Sequence, residues 1–215
     1  MNKVSFNYRM TCEHSRGKYL FIGEIYRTTE LTTNMFNIDS YSELEIALNS
    51  LPEEQKNYLR RRWYIWKCSQ CDEYLFYVNE NVDKNPNPYD KAYDIRINSH
   101  LDFDIKGTVI PQGMRNDIES VISDPREMID FYYDMQSKGR RYDIQNRLFI
   151  VHHSFVNVSR EFYLRCAWQS KRKIYKSFCN EVENISFYRT HNVIAGVIFI
   201  LEREKNVVEH SIFSL

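Results

Sequence analysis

Asp94-Ile-Arg-Ile-Asn-Ser-His-Leu-Asp-Phe-Asp-Ile-Lys106 is the stretch that decides how this chain folds. Asp94, Arg96 and Asn98 alternate with Ile95 and Ile97, and Asp104, Lys106 and Thr108 alternate with Phe103, Ile105 and Gly107. A period of two sends one set of side chains to a core and the other outward, so each arm reads as a β-strand. Ser99-His100-Leu101-Asp102 between the arms has turn composition and predicts a hairpin. With Asn98 placed opposite Asp104, Arg96 falls opposite Lys106 and Asp94 opposite Thr108, and the polar residues share one face. A slip of one residue would scatter them.

Two carboxylates and a lysine on one hairpin face suggest chemistry. Neighbouring carboxylates repel unless a cation lies between them, and a hard divalent ion such as Mg²⁺ binds through one or two carboxylates while keeping several waters. A lysine two residues after the second carboxylate shares its face, where an ammonium can hold an attacking water and offset charge on a pentavalent phosphate. The plain alternative is a solvated charged face, the usual fate of polar residues on a hairpin.

On these residues the chain resembles the PD-(D/E)xK nuclease superfamily, whose signature is an Asp opening one strand of a hairpin and Asp/Glu-x-Lys in the next: here Asp94, then Asp104-Ile105-Lys106. Tyr93 stands where the signature has proline, and Asp104 takes the place of the more frequent Glu. The surrounding order of elements agrees. Gln55 to Val78 reads as one long helix, with Tyr64, Cys68, Cys71, Leu75 and Val78 on one stripe. Ser123-Asp124-Pro125 starts a second helix, with Met128, Tyr132 and Met135 as its stripe and Ser137 near its end. Arg147-Leu-Phe-Ile-Val-His-His153 is an apolar run suited to a buried central strand.

The resemblance implies a restriction-endonuclease-like α/β fold, a mixed central sheet flanked by helices, and hydrolysis of DNA phosphodiester bonds with Mg²⁺. Asp94 and Asp104 would bind the ion, the Ile105 carbonyl could add a ligand, and Lys106 would position water. Glu73 on the preceding helix, with Glu80 behind it, would complete the site. Gln145 and Asn146, entering the central strand, would orient Lys106 or touch phosphate. The implied role is a restriction-type, defence, repair or mobile-element endonuclease, with DNA as partner and room for a homodimer. The rival reading is a non-catalytic nucleic-acid- or protein-binding domain that keeps the fold.

At 215 residues and 26.0 kDa the chain suits one domain, residues 1–55 forming an N-terminal elaboration. Asn79 to Asp90 reads as a loop. Twenty-nine basic and 29 acidic residues balance, which argues against a generic nucleic-acid coat and directs attention to local patches. These are Arg60-Arg61-Arg62, then Lys138, Arg140 and Arg141 beside a glycine, then Lys171-Arg172-Lys173 with Lys176 on a C-terminal helix. Trp63, Tyr64, Trp66, Tyr142 and Tyr175 interleave with them as candidate stacking platforms.

Five cysteines with no apolar leader at the N-terminus predict free thiols in a cytoplasmic protein. Cys68-Ser-Gln-Cys71 has zinc-knuckle spacing, and Cys12 and His14 could complete four ligands, which would give a zinc-stabilised interaction module. On the helical stripe the pair instead reads as small buried side chains. His152 and His153 end the central strand and face opposite sides of the sheet. The phosphate-loop, nucleophile-elbow and His-Glu-x-x-His patterns do not occur, so nucleotide-driven and serine-hydrolase chemistry are not expected.

Overall fold

The computed structural model describes residues 5–12, 15–24, 37–87, 92–137, 145–190 and 192–215. The chain divides into two compact units, Met1–Gln70 and Cys71–Leu215, the division falling inside a long helix rather than near residue 55.

In the first unit, β1 (Ser5–Cys12) and β2 (Ser15–Glu24) pair as an antiparallel ribbon. Helix α1 (Tyr41–Leu48) starts on a capping box: Ser40 Oγ accepts from the Glu43 N–H, and the Glu43 carboxylate accepts from the Ser40 N–H. It buries Leu44 and Leu48 with Leu59 of helix α2 (Glu53–Tyr77). Arg60, the first of the arginine triplet, is held by both Glu45 oxygens at 2.6 Å and by Glu53 at 2.7 Å, so it is not a free phosphate contact.

The second unit is a seven-stranded mixed sheet in the order β3-β4-β5-β6-β8-β7, with β9 also on β8. Its strands are β3 (Val82–Lys84), β4 (Ile95–Ile97), β5 (Leu101–Val109), β6 (Arg147–Ser154), β7 (Tyr188–Thr190), β8 (Val193–Glu202) and β9 (Glu209–Ile212). Helices α3 (Ile118–Ser123), α4 (Arg126–Ser137), α5 (Glu161–Leu164) and α6 (Trp168–Glu181) complete it. β4 runs antiparallel to both β3 and β5, whereas β5, β6 and β8 run parallel. The segment read as a loop over Asn79 to Asp90 thus contains an edge strand, β3.

All eight residues of β6 are buried, as its apolar run predicts for a strand covered on both faces. Leu148 and Ile150 join Phe103 and Ile105 in one core with Leu75 and Phe76 of α2 and Tyr175 and Phe178 of α6. Phe149 and Val151 enter the opposite core with Met128, Ile129 and Tyr133 of α4. The stripe expected on α4 is therefore rotated: Tyr133 is buried, while Met135 is 52% exposed. Helix α2 ends one residue before Val78, which is exposed, and its inward face includes Asp72 and Phe76.

The hairpin forms with a different register. Ile95 pairs with Phe103, Arg96 with Asp102 and Ile97 with Leu101. The reversal falls at Asn98 and Ser99, whose φ values of 50° and 63° have the sign pattern of a type I′ turn, and the His100 N–H donates to the Ile97 carbonyl at 3.2 Å. Asn tolerates this left-handed backbone well, which draws the turn toward residue 98. Relative to the expected pairing the shift is four residues. An even shift keeps every side chain on its face, and it moves Asp94 from opposite Thr108 to the level of Asp104.

Candidate active site

β5 changes partner at Asp104. Up to Phe103 it pairs with β4, and from Asp104 onward it pairs with β6, where Asp104 lies opposite Arg147. Asp94 sits just before β4. Its N–H donates to the Phe103 carbonyl at 2.9 Å, and the Ile105 N–H donates to Asp94 Oδ2 at 2.7 Å. A side chain thus takes the place that the next backbone partner would have filled. This turns the Asp94 carboxyl toward Asp104 at the point where the hairpin opens.

Asp104 is only 6% exposed. Lys106 Nζ contacts Asp104 Oδ1 and reaches the Ile105 carbonyl at 3.4 Å. The other oxygen, Asp104 Oδ2, is buried without a hydrogen bond, although Arg147 Nε stands 3.5 Å away at ion-pair range. Burial, then the charge of Asp104, raise the Asp94 carboxyl above its usual range, with Lys106 and the Ile105 N–H pulling the other way. Glu73 is pushed up to about 7, chiefly by burial and next by Asp94, against Lys84 and Lys106. Asp94, Asp104, Lys106 and Glu73 therefore act on one another electrostatically. Glu80 is exposed at the end of α2.

Other expected residues behave differently. The Asn146 side chain donates to the Asp102 carbonyl at 3.2 Å and accepts from the Ile194 N–H at 2.9 Å, tying β5 to β8 rather than orienting Lys106. The Gln145 carbonyl accepts from the Tyr133 hydroxyl at 2.9 Å. Arg96, expected opposite Lys106, makes a bidentate pair with Asp102 at 2.5 and 2.8 Å. Lys138, Arg140, Arg141 and Tyr142 lie outside the described residues, as do Glu13, His14 and the Cys12 side chain. Cys68 and Cys71 sit one turn apart on α2, Cys68 buried and Cys71 half-buried. His152 and His153 lie at the end of β6 away from Arg147. His152 Nδ1 donates to the Thr108 carbonyl at 3.1 Å, and His153 contacts Glu161 at 3.0 Å.

Two features of the site went unread in the sequence. Arg147 looks like a strand-entry residue, yet its guanidinium is buried beside Asp104 and lies over the Tyr133 ring at 4.6 Å. Lys171, read as part of a surface run, is fully buried, and its ammonium donates to Asp72 Oδ1 at 2.7 Å. The signal for Lys171 was present: it falls on the stripe of Ile174, Tyr175, Phe178 and Cys179 that α6 buries. Arg172, Lys173 and Lys176 on that helix are exposed.

No family model matches the chain, and neither a curated protein nor a solved structure does. Among the described residues no three His, Cys, Asp or Glu side chains are grouped to hold a metal ion. Asp94 and Asp104 are a pair, the number of carboxylates through which Mg²⁺ commonly binds. The orphaned Asp104 Oδ2 and the mutual repulsion of the two carboxyls fit a small cation between them. No described helix is long and apolar enough to cross a membrane.

Proposed function

We propose that this chain is a Mg²⁺-dependent deoxyribonuclease of the PD-(D/E)xK type. The observation that carries the reading is the buried, unsatisfied Asp104 oxygen set beside a second carboxylate and a lysine at a splayed strand pair. The order of helix, hairpin, helix and parallel strand supports the restriction-endonuclease-like fold.

Asp94 and Asp104 would hold the ion, with the Ile105 carbonyl beside them. When bound, it polarises the scissile phosphate and lowers the pKa of a water. Lys106, now lying across Asp104 and the Ile105 carbonyl, carries the ammonium that orients the attacking water and offsets charge growing on the phosphate. Arg147, its Nε 3.5 Å from Asp104 Oδ2, offsets part of the Asp104 charge. Glu73 brings a third carboxyl to the edge of the site from α2.

One observation favours a second reading, a non-catalytic nucleic-acid- or protein-binding domain on the same fold. Lys106 and Arg147 both neutralise Asp104 without any ion. Plasmid, linear and single-stranded DNA incubated with the protein decide between the two. The nuclease reading expects cleavage with Mg²⁺, none with a chelator, and binding with little cleavage in Ca²⁺. Binding without cleavage under any divalent ion would favour the second reading.

A further inference from the structure

The second charged cluster lies directly behind Lys106, on the other face of β5. Asp72, Lys171 and Arg165 are 1%, 0% and 8% exposed, so one carboxylate faces two cations in the protein interior. Asp72 Oδ1 is already spent: it accepts from Lys171 Nζ at 2.7 Å and from the Tyr175 hydroxyl at 2.7 Å. Lys171 also donates to the Arg165 carbonyl at 3.0 Å. The Arg165 guanidinium makes no ion pair or hydrogen bond among the described residues. One carboxylate shared between two cations leaves positive charge over, and that charge, after burial, holds His152 well below the usual histidine range.

Where that guanidinium sits is set by Gly107. A Cβ at residue 107 would meet Arg165 Nη1 at 2.9 Å, with Asp72 Oδ2 at 3.8 Å. The missing side chain therefore admits the arginine against the backbone, one residue beyond Lys106. Pairing of β5 with β4 ends at Phe103, and among the described residues no strand takes the edge of β5 from Ile105 onward. Lys106 and Arg165 flank that edge from the two faces of the sheet. A planar guanidinium with a free fork is matched to phosphate oxygens.

We propose that Arg165 donates to a non-bridging oxygen of the nucleic-acid phosphate adjoining the one that an ion on Asp94 and Asp104 would hold, an assignment that rests on the nuclease reading for its ligand. The test follows the Arg165 Nε–H resonance of the full-length protein, assigned by its loss in Arg165→Lys, during titration with inorganic phosphate and with a short DNA duplex in Ca²⁺. Both ligands should shift it. Arg165→Met, and Gly107→Ala, which keeps the arginine but displaces it, should each weaken duplex binding about tenfold and lower the salt dependence of log K by about 0.9, the loss of one phosphate contact. Arg165→Lys should recover part of the affinity. A resonance that duplex leaves unmoved, whether or not phosphate shifts it, overturns the assignment. So does wild-type duplex affinity in variants that melt at the wild-type temperature. If duplex shifts the resonance but no DNA is ever cut, the phosphate contact stands and the catalytic reading fails.

Discussion

Replacing Asp94 by Asn should make the metal-free protein more stable while removing its activity. The amide keeps the oxygen that accepts the Ile105 N–H at 2.7 Å, so the hairpin mouth stays closed. What disappears is a half-buried negative charge next to Asp104 and Glu73. Two like charges about 4 Å apart at an effective dielectric near 20 repel by about 4 kcal/mol. Lys106 attracts Asp94 and returns much of that, and a neutral acceptor gives up about 1 kcal/mol of charge-assisted hydrogen bonding. The remainder is a gain of about 1–2 kcal/mol, or about 3–6 °C in Tm for a chain of this size. The sign with pH follows from the raised Asp94 pKa: the wild type loses stability as pH climbs through it, so the advantage of Asn is smallest in acid and grows as pH rises. Thermal unfolding in a chelator at pH 4 and pH 8 reads both limbs, and a repeat in Mg²⁺ should reverse the order because only the wild type gains from the ion. An Asn variant less stable than wild type at pH 8 without metal, or equal stabilisation of both by Mg²⁺, would show that Asp94 is not a repelled carboxylate that binds the ion.

His152 predicts acid lability of the whole unit. Its ring is fully buried, chiefly desolvated and next to the charges of Lys171 and Arg165, so it stays neutral when folded and takes a proton when unfolded. The stability it contributes is present above pH about 6.5 and falls by up to about 1.4 kcal/mol per unit below it; His152→Gln should flatten urea midpoints measured between pH 6.5 and 5. Lys171→Met leaves Asp72 charged and buried, and should cost about 3–5 kcal/mol in urea unfolding, whereas a surface lysine would cost almost nothing.

The hairpin arms, α2 and β6 were legible because each repeats a single period: two for the arms, 3.6 for the helix, and an unbroken apolar run for a strand covered on both sides. The register was not legible, because it depends on which residues accept positive φ, and Asn98-Ser99 outcompeted the turn expected two residues later. The faces survived that error only because the shift was even. Asp94, Asp104 and Lys106 could be placed on one face from alternation alone. Arg147, Asp72 and Arg165 could not, since their neighbours lie on distant elements and a charged residue in sequence looks the same whether solvated or buried. Lys171 shows how much periodicity could still add: within Lys171-Arg172-Lys173 only the first lies on the apolar stripe of its helix.

Single-turnover cleavage of a labelled DNA duplex by wild type and Lys106→Ala in Mg²⁺, with binding of both measured in Ca²⁺, tests the central claim most directly. Metal-dependent cleavage by the wild type, a loss of about 10²–10³ in rate for Lys106→Ala as a transition-state charge is removed, and equal duplex affinity for the two proteins are expected. Wild-type protein that binds duplex but never cuts it, or a Lys106→Ala variant that cuts at the wild-type rate, would contradict that claim.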